Sequence, residues 1–236
     1  MKKVLPPGSW VSSDNEDLIG KIIITPSVGE LVSCRRGYYV VLEGIDGAGK
    51  TILSRMLCEE LSNRGFKCRI VREPWTSEIK KLLSESNLNP IVEAYLFAAD
   101  RLYMHQKVLS RYLEEELIVI GDRSFIASIA YQSSRGAPQE LVESINSFAI
   151  KPDLVVLLDL PVDEALDRIK DPGRQLRRLE EKSLLEKIRR KYLEIADSGL
   201  YNMRVVDASK SIDEVFNEVL NIILENIPLN LKSSSS

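Results

Sequence analysis

The chain of 236 residues is 44% hydrophobic and 28% charged, and its net charge is only −3. This composition fits one globular domain with appendages, and it provides no bulk attraction to nucleic acid or to an anionic membrane. No segment approaches the roughly 18 uninterrupted apolar residues of a transmembrane helix. We therefore expect neither a nucleic-acid partner nor a membrane span.

The two ends of the chain differ in composition from its middle. Residues 1–36 contain Pro6, Pro7 and Gly8 among polar stretches, and they are predicted to form an N-terminal extension of unknown role. The first residues are too polar and proline-rich for a signal-peptide core, so a cytoplasmic location is expected. The tail of residues 229–236 ends in a serine run, which predicts disorder.

Cysteine and histidine are scarce. Cys34, Cys58 and Cys68 form no C-x-x-C pair. An odd, scattered set in a reducing compartment predicts small buried thiols rather than a disulfide framework or a zinc site. The single His105 cannot build a histidine metal site alone, and a surface or packing role is expected for it.

Apolar strand-like runs alternate with amphipathic stretches between the two ends. The strand-like runs are YYVVLE, KCRIV, LIVIGD, the wholly apolar DLVVLLDL, and MRVVDAS. After the first run a helix is predicted up to Gly65, and one long amphipathic helix is predicted over residues 90–116. This alternation predicts an α/β fold, with a five-stranded parallel sheet and helices on both faces. Further helices are predicted over residues 124–134, 138–150, 161–169, 183–197 and 211–226.

The segment GIDGAGKT, at residues 44–51, follows the first strand and matches G-x-x-x-x-G-K-[ST]. Its glycines let backbone N–H groups turn onto phosphate oxygens, and the next helix adds the positive end of its dipole. Lys50 suits the β- and γ-phosphates, and the Thr51 hydroxyl suits Mg²⁺. The alternative is a chance glycine-rich turn, but the flanking strand and helix favour a P-loop NTPase fold. The predicted ATP-binding loop residues are Gly44, Ile45, Asp46, Gly47, Ala48, Gly49, Lys50 and Thr51.

Charged residues follow the second and third predicted strands, where ligands bind in open parallel sheets. Arg72 and Glu73 end one strand, and Asp122 and Arg123 end the other. Asp122 is suited to Mg²⁺ or its waters, and Arg123 is suited to a second phosphate in fork geometry. The alternative is a surface ion pair between Asp122 and Arg123, which their position after a buried strand disfavours. The predicted Mg²⁺-binding residues are Thr51, Asp122 and Glu73.

Two helices carry candidate residues for a nucleobase. Phe97 and Arg101 lie four residues apart, which places them on one face of the long helix. Spacing alone favours the alternative that Phe97 is a core residue and Arg101 is solvated. Ser128, Tyr131 and Gln132 share a face of the helix after the third strand, and packing alone explains them equally well.

The segment at about residues 170–182 is basic and contains a proline and a glycine. Arg174 and Arg178 lie in it, and Arg168 lies just before it. Such a run is usually a solvated face. It also suits a LID segment that brings positive charge onto a migrating phosphoryl group.

These motifs together resemble the thymidylate kinases within the P-loop nucleoside monophosphate kinases, over about residues 38–226. The phosphate loop identifies only a superfamily, whereas LFAADR followed by DR and AYQ is much more specific. The resemblance implies a kinase domain at residues 37–228, with ATP and dTMP as substrates, dTDP and ADP as products, and a role in dTTP biosynthesis. It also implies Mg²⁺ and a homodimer formed through the long helix.

On the acceptor side, the resemblance implies that Phe97 stacks on thymine and Arg101 bonds its O4. Arg72 and Arg123 would hold the dTMP phosphate, and Asp46 would contact the deoxyribose 3′-hydroxyl. The tyrosine of AYQ would crowd C2′ and disfavour a ribose. The implied dTMP-binding residues are Asp46, Arg72, Phe97, Arg101, Arg123, Ser128, Tyr131 and Gln132.

On the ATP side, the resemblance implies that Arg168 lies against adenine, in a pocket closed by the backbone near Asp207 and Ala208. Gly47 stands where one subgroup of the family has an arginine, so a LID arginine is expected to stabilise the transferring charge. The implied catalytic residues are Lys50, Arg123, Arg174 and Arg178.

Several positions depart from the family pattern, and three of them concern base selectivity. Ser124 stands where Tyr or His is common, and Ala127 stands where Ser is common. Trp75 follows the segment REP, residues 72–74, where the family usually has glycine. These leave open a kinase of another (deoxy)nucleoside monophosphate, such as dUMP. A non-kinase nucleotide-binding ATPase is the remaining alternative; a GTPase is disfavoured because the chain has no Asn-Lys-x-Asp motif.

Overall fold

The computed structural model describes residues 36–85, 87–170 and 181–232. The predicted N-terminal extension up to residue 35 lies outside the described residues, and so does most of the predicted LID segment, including Arg174 and Arg178.

Five strands form one all-parallel sheet in the order β2-β3-β1-β4-β5, which confirms the predicted α/β fold. The three central strands are buried along almost their whole length, whereas β2 and β5 at the edges are partly exposed. This difference follows from the order, because only the central strands have neighbours on both sides. The strands are β1 (Tyr38–Glu43), β2 (Cys68–Arg72), β3 (Ile118–Asp122), β4 (Leu154–Asp159) and β5 (Met203–Asp207).

Helices connect successive strands and cover both faces of the sheet. They are α1 (Lys50–Asn63), α2 (Ser77–Glu85), α3 (Pro90–Met104), α4 (Ser110–Glu114), α5 (Phe125–Ser134), α6 (Gln139–Ile145), α7 (Val162–Ile169), α8 (Lys182–Asp197), α9 (Ile212–Asn226) and α10 (Leu229–Lys232).

The alternation of side chains along β1 divides the core into two clusters. Val40 packs in the larger cluster, which also contains Leu57 of α1. Val41 packs in the smaller cluster with Met104 and Leu109 on the opposite face. Parallel pairing brings the carboxyl ends of the strands to the same edge, where the candidate site lies.

The long predicted helix starts as expected but is interrupted. Asn89 caps α3 by accepting a hydrogen bond from the Ile91 amide at 2.9 Å, and Pro90 occupies the first turn. A π-helical turn at His105–Leu109 then separates α3 from α4. His105 is buried, and its Nδ1 accepts a hydrogen bond from the Ile150 amide at 3.1 Å, so the packing role is confirmed.

Disorder was the wrong prediction for residues 229–232, which form α10. Leu231 is buried there against the larger cluster, while Asn230 donates to the Arg36 carbonyl at 3.1 Å. The prediction relied on the serine-rich composition of the tail and did not take the burial of Leu231 into account.

The prediction of free thiols is wrong for two cysteines. Cys58 in α1 and Cys68 at the start of β2 form a disulfide, with their Cα atoms 5.5 Å apart. The helix and the strand are joined by a short turn, which places the two side chains side by side. The two cysteines are ten residues apart, a spacing that matches no known cysteine motif. The disulfide therefore could not be predicted from the sequence and depends on how the helix packs against the strand.

Candidate active site

The loop of residues 44–51 joins β1 to α1, so the strand and the helix predicted on its two sides are both present. Gly44 has φ 140°, and a Cβ there would lie 2.6 Å from the Leu158 carbonyl oxygen. Gly47 has φ 88°, and a Cβ there would lie 2.7 Å from the Ala165 carbonyl oxygen. In this backbone conformation an arginine at position 47 would strain the backbone and contact the Ala165 carbonyl too closely, so the loop as it stands suits glycine.

Lys50 lies at the first residue of α1 and is buried. Its ammonium group donates to the carbonyls of Gly44 at 3.0 Å and Ile45 at 2.8 Å. Burial, followed by the positive charge of Arg123, lowers the pKa of Lys50 to about 8. The cation is thus held directly under the loop whose amides are suited to phosphate.

Thr51 and Asp122 form the part of the site that suits a metal. The Thr51 hydroxyl donates to Asp122 Oδ2 at 2.6 Å, and the Nε of Arg72 lies 3.4 Å from the same oxygen. A hydroxyl beside a carboxylate supplies the hard oxygen ligands that Mg²⁺ prefers, so these two residues fit the ion. Glu73 does not accompany them, because both of its carboxylate oxygens accept from Arg101 Nε at 2.9 Å.

Metal ligation would need more than protein side chains. Among the described residues, no group of three or more histidine, cysteine, aspartate or glutamate side chains could hold a metal ion. A Mg²⁺ ion at Thr51 and Asp122 would take its remaining ligands from bound phosphate and water, as this ion commonly does.

Among the helices that the structure describes, none has the length and apolar character to cross a membrane.

Arg123 follows β3 and points toward the phosphate loop. Its guanidinium pairs with Asp46 of the loop, donates to the Tyr131 hydroxyl at 3.3 Å, and lies 4.8 Å from the Tyr131 ring centroid. Asp122 instead lies against Thr51 and Arg72. The alternative of an Asp122–Arg123 ion pair is absent among the described residues, and Arg123 lies next to the loop of the predicted ATP site.

Arg101 is enclosed rather than solvated, with 1% of its surface exposed. Its Nη1 donates to Asn146, and its Nη2 pairs with Glu73 and donates to Ser128 Oγ at 3.1 Å. Phe97, one turn earlier on α3, is half-buried and belongs to neither core cluster. The alternative of a core Phe97 and a solvated Arg101 therefore describes neither residue.

Sequence reasoning missed several partners that hold the acceptor side together. Asn146 lies 45 residues from Arg101, and no motif marks it. Glu93 accepts from Gln132 Nε2 at 3.4 Å and pairs with Arg135. Gln132 is thus buried and bonded within the protein, whereas its predicted role was contact with dTMP.

Arg168 contacts the backbone that the resemblance predicts at the adenine pocket. Its guanidinium donates to the Ala208 carbonyl at 3.0 Å, which brings α7 next to the loop after β5. Asp207, the last residue of β5, is exposed and accepts from the Ser209 hydroxyl at 2.6 Å. A pocket beside the phosphate loop is lined by Ala48, Gly49, Leu53, Arg168, Ala208, Lys210, Ile212 and Val215.

Glu43 is a further residue to which the sequence assigned no role. It ends β1 and is fully buried. Its Oε1 accepts from the Ser124 amide at 2.8 Å and the Ser124 hydroxyl at 2.7 Å, and its Oε2 accepts from the Tyr192 hydroxyl at 2.8 Å. Burial raises the pKa of Glu43, and the Ser124 hydrogen bond opposes that shift.

The parallel sheet, the glycine loop before α1, and Lys50 and Thr51 beside Asp122 together define a P-loop nucleotide-binding protein. The sequence model of the family described as thymidylate kinase matches residues 42–219. This match covers most of the chain. The chain belongs to the thymidylate kinase family.

Relatives from three organisms agree with this assignment. A "Probable thymidylate kinase" of Pyrococcus horikoshii is 38% identical over 198 residues, covering 80% of this chain and 96% of the relative. A "Probable thymidylate kinase 1" of Saccharolobus solfataricus is 41% identical over 192 residues, covering 80% and 97%. A "Probable thymidylate kinase" of Staphylothermus marinus is 37% identical over 200 residues, covering 83% and 99%.

Proposed function

We propose that this chain is a dTMP kinase, which transfers the γ-phosphoryl group of ATP to the 5′-phosphate of dTMP and releases dTDP and ADP for dTTP biosynthesis. Membership of the thymidylate kinase family supports this function. The observation that carries it is the contact between Arg123 and Asp46, because it sets an anion-binding arginine against the loop that holds the donor phosphates.

The donor half of the reaction uses the loop amides and Lys50. In phosphoryl transfer the protein contributes mainly by positioning the reacting groups in line and by neutralising their charge. Lys50 lies under the loop, and its role in this proposal is to bind the β- and γ-phosphates. Thr51 and Asp122 would hold Mg²⁺, which supplies charge neutralisation between these phosphates when it is bound. Arg168 and the backbone at Ala208, which line one pocket, would form one side of the adenine site.

The acceptor half uses Arg72 and Arg123 for the dTMP phosphate. The phosphate oxygen of a monophosphate is already ionised near neutral pH, so the nucleophile needs no strong general base. This agrees with a site of arginines and carboxylates in which His105 is buried elsewhere, on the π-helical turn. A LID arginine, Arg174 or Arg178, supplies the remaining positive charge in this proposal.

The base would lie against the half-buried ring of Phe97. Arg101, one turn further along α3, contacts Ser128 and is held in place by Glu73. In this proposal the sugar would lie against Tyr131, whose ring is 4.8 Å from the Arg123 guanidinium. The arrangement suits a deoxyribonucleotide whose base and phosphate are gripped at two ends.

A homodimer and a cytoplasmic location also belong to this proposal. Tyr95 and Tyr103 lie eight residues apart on one face of α3, and they are 53% and 46% exposed. Val92 at 46% exposure extends this apolar strip. If α3 packed against α3 of a second copy of the chain, this apolar strip would be covered. Light scattering after size-exclusion chromatography would measure the mass of such a dimer.

The function is tested by ADP release from ATP and Mg²⁺ with dTMP, dUMP, dGMP, UMP or no acceptor at matched concentrations. We expect the highest kcat/KM with dTMP and little release without an acceptor. If ADP were released at the same rate with and without an acceptor nucleotide, the chain would be an ATPase rather than a kinase. A preference for dUMP would favour the alternative acceptor, and loss of all activity in Lys50→Ala identifies this site as the source.

A further inference from the structure

We infer that Glu43 and Tyr192 are positioning residues for phosphoryl transfer, which hold Arg123 in the orientation that receives the acceptor phosphate. The inference rests on the proposed function and adds two buried residues to its machinery. Glu43 is 0% exposed and Tyr192 is 1% exposed, so neither reaches a substrate directly. Both act through contacts that end at Arg123.

The first contact fixes the backbone. Arg123 has φ 77°, in the left-handed region that costs a non-glycine residue roughly 1–2 kcal/mol. Its own amide donates to the Leu42 carbonyl at 3.1 Å. The next amide, that of Ser124, donates to Glu43, and so does the Ser124 hydroxyl. The peptide after Arg123 is therefore pinned to the end of β1, which opposes relaxation of the turn.

Ser124 has a second role in the same turn. Its hydroxyl oxygen caps α5 by accepting from the Ile126 amide at 3.2 Å. The same hydroxyl donates a hydrogen bond to Glu43 Oε1. The short side chain at this position lets one carboxylate hold the turn and the start of the helix together.

The second contact restricts the guanidinium. Tyr192 donates to Glu43 Oε2, and its ring meets the edge of the Tyr131 ring at 6.4 Å between centroids. The Tyr131 ring in turn lies 4.8 Å from the Arg123 guanidinium. Cation–π and hydrogen-bond contacts of this kind confine an arginine that would otherwise sample many rotamers. Because Tyr192 belongs to α8, this support comes from the helix that follows the predicted LID segment.

The test is steady-state kinetics of Tyr192→Phe with both substrates varied. We expect kcat/KM for dTMP to fall by about tenfold, through a lower kcat and a higher KM for dTMP, while KM for ATP stays within about twofold. Tyr38→Phe is the matched control, since Tyr38 is also buried but begins β1 at the end away from Glu43. Its kinetic constants should equal those of the unchanged protein.

A merely structural role would lower the yield or the melting temperature of Tyr192→Phe while leaving both KM values and kcat of the folded enzyme unchanged. That result, or an equal rise in KM for ATP and dTMP, would overturn the inference. Should Tyr192→Phe fail to fold, Glu43→Gln replaces it as the test variant. The glutamine Oε1 can still accept from Ser124, but its NH₂ group cannot accept from Tyr192, so the same selective loss is expected. Inactivity of the unchanged chain toward dTMP would instead overturn the proposed function.

Discussion

The donor and acceptor halves of the site are built in different ways. The donor half is a contiguous loop, residues 44–51, and the first turn of α1, and its shape depends on glycines and on backbone groups. The acceptor half gathers side chains from the carboxyl ends of β2 and β3, from the residues that follow them, and from α3 and α5. Arg101 is held there by the buried carboxylate of Glu73, so a residue predicted to bind substrate is also part of the structural framework.

This difference predicts different consequences of substitution. Removing a donor-half side chain should damage the chemistry and spare the fold. Removing Arg101 from the acceptor half should leave the buried Glu73 carboxylate without its partner, which damages the fold as well.

The largest effect is expected for Lys50→Ala. Loss of the ammonium should lower kcat by on the order of 10³-fold or more, since it removes charge from the transferring phosphoryl group. The circular dichroism spectrum and melting temperature should stay close to those of the unchanged chain. Lys81→Ala, at an exposed position of α2, is the control and should keep full activity. Near-normal turnover of Lys50→Ala would contradict the account of the donor half.

Arg101→Met should lose about 3–5 kcal/mol of unfolding free energy, because Glu73 would remain buried without its ion-pair partner. Urea denaturation measures the change. Arg111→Met is the matched control, since Arg111 makes an exposed pair with Glu115 and should contribute less than about 1 kcal/mol. Equal stability of the two variants would show that Arg101 is no part of the structural framework.

The disulfide joins the two halves, because α1 carries the phosphate loop at its start and β2 leads to Arg72 at its end. In the chain-entropy description, closing a loop of this size contributes about 2–3 kcal/mol. Cys58→Ser should therefore melt several degrees lower, and a reducing agent should lower the melting temperature of the unchanged chain only. Insensitivity of the unchanged chain to reduction would contradict the bridge.

The smallest effect concerns acid stability. Burial, followed by the charge of Arg101, lowers the pKa of His105 to about 3, below its ordinary value near 6.5. The unfolded chain thus takes up a proton first, and stability is lost as the pH falls below about 6.5. His105→Asn keeps an acceptor for the Ile150 amide but does not titrate. Between pH 7 and pH 5 the unchanged chain should lose about 2 kcal/mol more than this variant; equal losses would contradict the buried neutral imidazole.

Sequence patterns predicted the fold and the donor half because both depend on local spacing. Alternating strands and helices define the sheet, and the glycine–lysine–threonine spacing defines the loop. The π-helical turn at His105–Leu109 was missed, because helical periodicity continues through it with a single shift. The helix α2 was missed as well, since its short amphipathic pattern lies between two loops.

The acceptor half was less predictable because its contacts are distant in sequence. Asn146 and Glu43 carry no motif of their own, and their partners Arg101 and Ser124 lie 45 and 81 residues away. The Glu73 carboxylate was predicted for Mg²⁺, whereas tertiary packing gives it Arg101 as a partner. Position on a strand end indicates proximity to the site, but it does not indicate which charge each residue meets.

The central claim is that one cleft brings a donor triphosphate and dTMP end to end, with Lys50 and Arg123 between them. A crystal structure with a non-hydrolysable ATP analogue, Mg²⁺ and dTMP tests this most directly. The account predicts the dTMP phosphate at Arg123, in line with the terminal phosphate over the loop, and thymine on the Phe97 ring. Density for dTMP away from both Arg123 and Phe97 would contradict it.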